Sequence, residues 1–238
     1  MPQKFDHLPD KRLITGGSGT GKTTLVESLM RKEKARLKFV YDHEGQFCQR
    51  YGHEPVYADG LDEAVARGGW VVFDPSEDFE SDFEQGLEFY CDYILALSKE
   101  LKGRKLFHID ELDLLTSNTK YPRALVAVMQ TGRRYEIDCF FISGQPNNLH
   151  NRVRSQLTAV YTFFHSDRAA LEFLTDNGIP EETIRSLGEH GWFYRHLRTG
   201  ATQSNLKSLP KLAKPAEAAA PDPGAAEKTV PAAPIDAA

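Results

Sequence analysis

Over most of this chain, short apolar runs alternate with segments of helical periodicity. Arg12 to Thr15, Leu37 to Tyr41, Trp70 to Phe73, Lys105 to Ile109, Ile137 to Ser143, Val160 to Phe164 and Trp192 to His196 are mostly near-continuous apolar runs, the pattern of strands buried on both faces. Between them, Lys22 to Lys34, Phe83 to Leu101, Pro122 to Tyr135, Asp167 to Asp176 and Pro180 to Leu187 read as helices, with Pro122 and Pro180 suiting first helical turns and Gly178 and Gly188 suiting ends. Strands and helices in turn specify βαβ units, hence an α/β domain with a mainly parallel central sheet flanked by helices. From Leu206 onward the pattern is lost: Pro210, Pro215, Pro221, Pro223, Pro231 and Pro234 punctuate a stretch that is otherwise mainly Ala with scattered charges. Such a segment cannot bury enough apolar surface to offset its ordering entropy. The expected division is a folded domain over 1–206 and a disordered Ala/Pro-rich tail over 207–238.

The first strand is followed by Gly16-Gly17-Ser18-Gly19-Thr20-Gly21-Lys22-Thr23-Thr24, a complete G-x-x-x-x-G-K-T ahead of a helix. Glycines let the backbone wrap closely enough for its N–H groups to surround the β- and γ-phosphates of a nucleotide, and the helix N-terminus adds a favourable dipole potential. Lys22 is placed to contact the β/γ oxygens, and Thr23 to put its hydroxyl on Mg²⁺. The bland alternative is an ordinary glycine-rich turn.

Leu106-Phe107-His108-Ile109 is an apolar strand that ends in Asp110-Glu111. In a parallel sheet both this strand and the phosphate loop emerge at the carboxyl edge, bringing Asp110 near a metal held by Thr23. A second acid, Glu111, suits a general base that polarises water for attack on the γ-phosphate; its alternative is a solvated acid at a helix start. Asp113 reads as a first-turn residue favoured by the helix dipole rather than as a metal ligand, and His108 as a buried polar residue beside the site.

Ile137 to Ser143 is a further core strand, and Gln145 just beyond it is positioned to sense the γ-phosphate or the attacking water. Arg133 and Arg134 precede this strand, and Arg152 and Arg154 follow it. An arginine inserted from a neighbouring subunit stabilises phosphoryl-transfer charge, so these residues are finger candidates as well as structural ones.

Composition narrows the class without naming the chemistry. The 238 residues are 40% hydrophobic and 26% charged, in keeping with one globular domain. No apolar run approaches the roughly 20 residues of a membrane helix, and the N-terminus lacks a signal-peptide core; a cytoplasmic protein without membrane insertion is expected. Cys48, Cys91 and Cys139 have no metal or disulfide spacing and are read as reduced thiols. A net charge of −5 argues against coating nucleic acid by bulk charge but leaves room for a local basic rim. Phe79, Phe83, Phe89, Tyr90 and Tyr93 fall near helical spacing and are read as core rather than as a base-stacking platform.

Taken together, Gly16 to Thr23, the Asp42-His43-Glu44-Gly45 turn, His108-Ile109-Asp110-Glu111 and the run from Gly132-Arg133-Arg134 through Ser143-Gly144-Gln145-Pro146 resemble the FtsK/HerA superfamily of P-loop DNA-pumping ATPases. The lack of large additional domains is similar to the genome-packaging ATPases of tailless double-jelly-roll phages. The resemblance implies a RecA-like fold, ATP and Mg²⁺ as ligands, and a homo-oligomeric ring, commonly a hexamer, with double-stranded DNA in its channel. It implies host-cytoplasmic or virion-associated work with a virion or portal-vertex protein as partner. Lys22, Thr23, Asp110, Glu111, Gln145 and Arg133 or Arg134 take the family's site roles. One departure is the absence of a strongly basic pore loop; Thr116 to Arg123, with Lys120 and Arg123, is the nearest match. Three other readings stand beside this one: a DNA-transfer or filamentous-phage morphogenesis ATPase, a small-molecule P-loop kinase, and a structural protein whose nucleotide site is a switch.

Overall fold

The computed structural model describes residues 9–206; the tail expected over 207–238 lies outside the described residues. Strands β1 (Lys11–Thr15), β2 (Leu37–Tyr41), β3 (Gly69–Phe73), β4 (Lys105–Ile109), β5 (Ile137–Ser143), β6 (Ala159–Thr162), β7 (Phe193–His196) and β8 (Thr202–Ser204) form one sheet in the order β3-β2-β4-β5-β1-β6-β7-β8. The first six are paired in parallel, and the β6–β7 and β7–β8 pairs are antiparallel. The helices are α1 (Lys22–Lys32), α2 (Gln46–Tyr51), α3 (Leu61–Arg67), α4 (Ser76–Phe79), α5 (Phe83–Glu100), α6 (Leu112–Leu115), α7 (Arg123–Tyr135), α8 (Asn151–Arg154), α9 (Arg168–Asp176) and α10 (Glu181–Arg185). Among the described residues, no helix is long and apolar enough to cross a membrane.

The near-continuous apolar strands divide their side chains between two faces with a period of two. Leu13, Phe39, Val71, Phe107 and Phe141 join Leu87, Tyr90, Ile94, Leu125 and Met129 of α5 and α7 on one side. Their chain neighbours Ile14, Val40, Val72, Leu106 and Phe140 join Val26, Met30 and Phe47 of α1 and α2 on the other. All these side chains are buried. Removal of water from each is worth about 1.5–3 kcal/mol for a large apolar side chain, which explains why runs with little alternation form the middle layer of three. Within the aromatic set read as core, Tyr90 is fully buried and Phe79, Phe83 and Tyr93 pack against the core, while Phe89 stays 36% exposed.

Polar groups close the amino edge of the sheet. Arg104 donates to Asp138 and Glu33, both at 2.7 Å, and Arg12 donates to Asp10 and Glu33 at 3.2 and 3.4 Å. This network explains why α1 stops at Lys32 rather than Lys34: Glu33 turns extended and its carboxylate meets both arginines. Pro122 and Pro180 stand one residue before α7 and α10, not inside their first turns.

Other departures from the sequence pattern also have local causes. The sixth strand ends at Thr162, but main-chain bonds continue past it, Phe163 N–H donating to Thr15 O and Gly17 N–H to Phe164 O, and bring Phe163 against Gly16 of the phosphate loop. Trp192 stays outside β7 because its N–H donates to the Asn205 side chain. Helix α2, unseen in the pattern, is started by Asp42, whose buried carboxylate accepts from Phe47 and Cys48 N–H at 3.1 and 2.8 Å. Cys91 and Cys139 are buried, and Cys48 is half-buried.

Candidate functional site

Every crossover between parallel strands returns the chain to the same edge, so β1, β4 and β5 release their successors side by side: Gly16, Asp110 and Gly144. The loop after β1 packs tightly on the chain leaving β6. A Cβ on Gly16 would stand 2.6 Å from Phe163 Cβ, which excludes any larger residue without rearrangement. Gly21, with φ of 99°, takes a left-handed conformation as the residue before α1, a geometry that costs other residues free energy. The loop thereby leads into the N-terminus of α1, where unpaired N–H groups and the helix dipole favour an anion.

Lys22 Nζ donates to the carbonyls of Gly16 and Gly17 at 3.1 and 2.9 Å, folding the cation over the loop it would share with phosphate. Burial lowers its pKa, while Asp110, Glu111 and Asp113 oppose the shift. Thr23 Oγ1 donates to Asp110 Oδ2 at 3.3 Å, joining the ends of α1 and β4. A hydroxyl and a carboxylate at this separation are two hard oxygen donors beside a phosphate cradle, a set that fits Mg²⁺ completed by substrate oxygens and water. Among the described residues, no cluster of three or more His, Cys, Asp or Glu side chains converges as a metal cage.

Glu111 follows at once, with φ of 45° and ψ of 51°. This left-handed conformation is unusual outside glycine and is often held at functional positions. Its N–H donates to Asp110 Oδ1 at 3.0 Å. Although Glu111 occupies the residue before α6, its side chain makes no capping bond; it lines the cleft instead. Burial raises its pKa, reinforced by Glu44, Asp110 and Asp113 and opposed by Lys22. A half-buried carboxylate of raised basicity facing the loop suits proton acceptance from water.

The cleft measures about 620 Å³ and is lined by Ser18 through Leu25, Asp110 and Glu111. Gln145 caps the carboxyl end of β5, between β1 and β4, but does not line the cleft. Its side-chain oxygen accepts from Asn148 and its backbone N–H donates to Asp113. Arg133 and Arg134 are exposed in the last turn of α7, next to the amino end of β5. That is the opposite sheet edge from the cleft, so neither serves its own chain's site. Lys120, in the segment nearest to a basic pore loop, pairs with Glu84.

Several residues absent from the motifs complete the cleft: Gln46 and Arg50 from α2, and His190, Trp192 and Asn205 from the stretch around β7 and β8. His165 lies buried behind the loop, with Nε2 hydrogen-bonded to Thr15 Oγ1 at 2.9 Å; burial, aided by Lys22, drops its pKa to about 4. His108 is fully buried, donating from Nδ1 to Phe140 O at 3.0 Å. The one sequence signal for the outer wall was its tryptophan and histidine beside a Gly-rich turn, which no motif singles out.

Residues 2–85 match the family described as the type IV secretion-system coupling protein DNA-binding domain. No curated protein matches the chain. Among solved structures, the DNA-packaging ATPase from Sulfolobus turreted icosahedral virus superposes with a TM-score of 0.65 at 16% identity, over 83% of this chain and 98% of that one. The genome-packaging NTPase from Sulfolobus turreted icosahedral virus 2, in complex with AMPPCP, gives 0.60 at 14% identity, over 83% and 97% of the two chains. VirB4 of Thermoanaerobacter pseudethanolicus gives 0.56 at 11% identity, over 85% and 90%. The fold is the RecA-like P-loop NTPase fold expected from the sequence.

Proposed function

We propose that this chain is an ATP-hydrolysing motor that moves double-stranded DNA, in the manner of a viral genome-packaging ATPase of the FtsK/HerA type. The observation that carries the reading is the convergence of Lys22, Thr23, Asp110 and a cleft-facing Glu111 at one sheet edge. The loop N–H groups and Lys22 hold the β- and γ-phosphates. Mg²⁺, held by Thr23 and Asp110 together with those phosphates, would neutralise their charge. Glu111 accepts a proton from water as the water oxygen bonds to the γ-phosphorus. The bond to the β–γ bridging oxygen then breaks, giving ADP and inorganic phosphate.

Gln145 and Asp113 carry the change at Glu111 to the turn after β5, and through it to α8 with Arg152 and Arg154. Arg133 or Arg134 of a neighbouring copy, exposed and far from its own cleft, acts as the finger in a homo-oligomeric ring, a hexamer in the simplest case. The packaging NTPases matched over nearly their whole length support this reading. So does the DNA-binding family matched by residues 2–85, which also favours a second reading, a DNA-transfer ATPase. In the packaging reading the motor works in the host cytoplasm, docked on a virion or portal-vertex protein, with residues 1–206 as motor and the Ala/Pro-rich 207–238 as a spacer.

Steady-state ATP hydrolysis with and without linear duplex DNA, at two salt concentrations, tests the coupling. Stimulation that fades with salt is expected, since phosphate contacts weaken as counterions compete. A rate indifferent to DNA contradicts it. Capture by a virion protein then separates packaging from transfer.

A further inference from the structure

The cleft continues beyond the phosphate loop along α1, over Thr24 and Ser28, between two walls that no motif supplies. Helix α2 forms one wall, with Arg50. The chain from His190 through Trp192 and back to Asn205 forms the other. A nucleotide with its phosphates in the loop must lay its base between them. Resting on the nucleotide-binding reading above, we infer that Trp192 is the platform for that base, stacking on its face without reading its edge, so that the site takes adenine and guanine nucleoside triphosphates alike.

Trp192 is built to hold still. Its ring meets Tyr161 edge-on, with centroids 5.5 Å apart, and its backbone N–H donates to Asn205 Oδ1 at 2.8 Å. The residue is half-buried, anchored on the protein side and open to the cleft. Stacking on a fixed aromatic ring tolerates any base, because every base presents a π-face.

Polar side chains on both walls already bond within the protein. Asn205 spends its amide oxygen on Trp192 and an amide N–H on His190 O at 2.9 Å. His190 Nδ1 is bonded to Thr20 O at 3.2 Å. Arg50 donates to Thr24 Oγ1 at 2.8 Å. Strong discrimination between bases requires polar groups that are left unpaired by the wrong one. Here those groups are used to hold the wall to itself and to the phosphate loop.

Displacement of a ribose-labelled fluorescent ATP analogue from the full chain, by ATP, GTP and tripolyphosphate, tests this. ATP and GTP are expected to compete within about threefold of one another, as weak edge readout implies. Trp192→Ala should weaken both by about tenfold or more, the loss of one base-stacking contact, and leave tripolyphosphate competition unchanged. Trp192→Phe should restore most of the affinity, and unaltered tripolyphosphate binding shows that the variants are folded. Preference for ATP over GTP by more than about thirtyfold, a difference that weak edge readout cannot supply, overturns the inference. So does unchanged nucleotide affinity in Trp192→Ala. Lys22→Ala separates the two readings: it should remove nucleotide and tripolyphosphate together, and unmodified protein that binds neither refutes the nucleotide site itself.

Discussion

The carboxylate of Asp113 accepts the backbone N–H of Gln145 at 3.2 Å through one oxygen, and that of Gly144 at 3.1 Å through the other. This pair of bonds ties α6, which begins one residue after Glu111, to the turn at the end of β5. Gln145 in turn accepts from Asn148, and two residues beyond Asn148 His150 starts α8 through Arg152 N–H. The chain around Glu111 and the arginine-bearing α8 are thus joined by a series of directional hydrogen bonds.

Asp113→Ala should remove two hydrogen bonds from backbone donors that water can reach, and cost at most about 1 kcal/mol of stability. Nucleotide affinity should hold while hydrolysis falls, because the loop and Lys22 are untouched and the turn carrying Gln145 is freed. Denaturant unfolding and equilibrium binding measured side by side check this; equal losses of affinity and turnover would assign Asp113 to the loop instead.

Glu111→Gln keeps the shape of the side chain and removes its basicity. Hydrolysis should fall by about 10²–10⁴-fold, the usual worth of a general base, with nucleotide binding retained. In the unmodified protein, protonated Glu111 cannot accept a proton. Its raised pKa therefore places the acid limb of kcat above the ordinary carboxylate value of 4.5, with activity lost as pH falls through it. A kcat profile still flat below that value would remove Glu111 from the role.

Much of this site was legible because its chemistry is local in sequence. The phosphate loop needs closely spaced glycines and Lys22, and Asp110-Glu111 closes a mostly apolar strand; both patterns are set by what lies within a few residues. The β2, β4 and β5 boundaries were legible for the same reason, since burial on both faces leaves a mostly apolar run. The outer wall was not. Trp192 and Asn205 stand thirteen residues apart in sequence and gain meaning only when β8 folds back on β7, a pairing of exposed, polar Thr202 and Gln203 that carries no hydrophobic signal. Asp113 likewise read as a helix-start acid, and its partners lie across the sheet edge, 31 and 32 positions away.

His165 should make the fold sensitive to mild acid. Its folded pKa of about 4 lies below the ordinary value of 6.5, so between these values the unfolded chain takes up a proton that the folded chain refuses. Stability should fall as pH drops through this window, by roughly 3 kcal/mol from this residue alone. The lowered pKa values of His43, His53 and His108 act in the same direction. Unfolding free energies between pH 7 and 4 should therefore show a shallower slope in His165→Gln, which can keep a bond to Thr15. An identical slope would place the titration elsewhere.

The central claim is movement along duplex DNA driven by hydrolysis, and displacement of a triplex-forming oligonucleotide from linear duplex reads it directly. Unmodified protein with ATP and Mg²⁺ should strip the third strand, and Glu111→Gln should bind the same DNA and nucleotide without stripping it. Sustained ATP hydrolysis on that DNA with the triplex left intact would contradict the account.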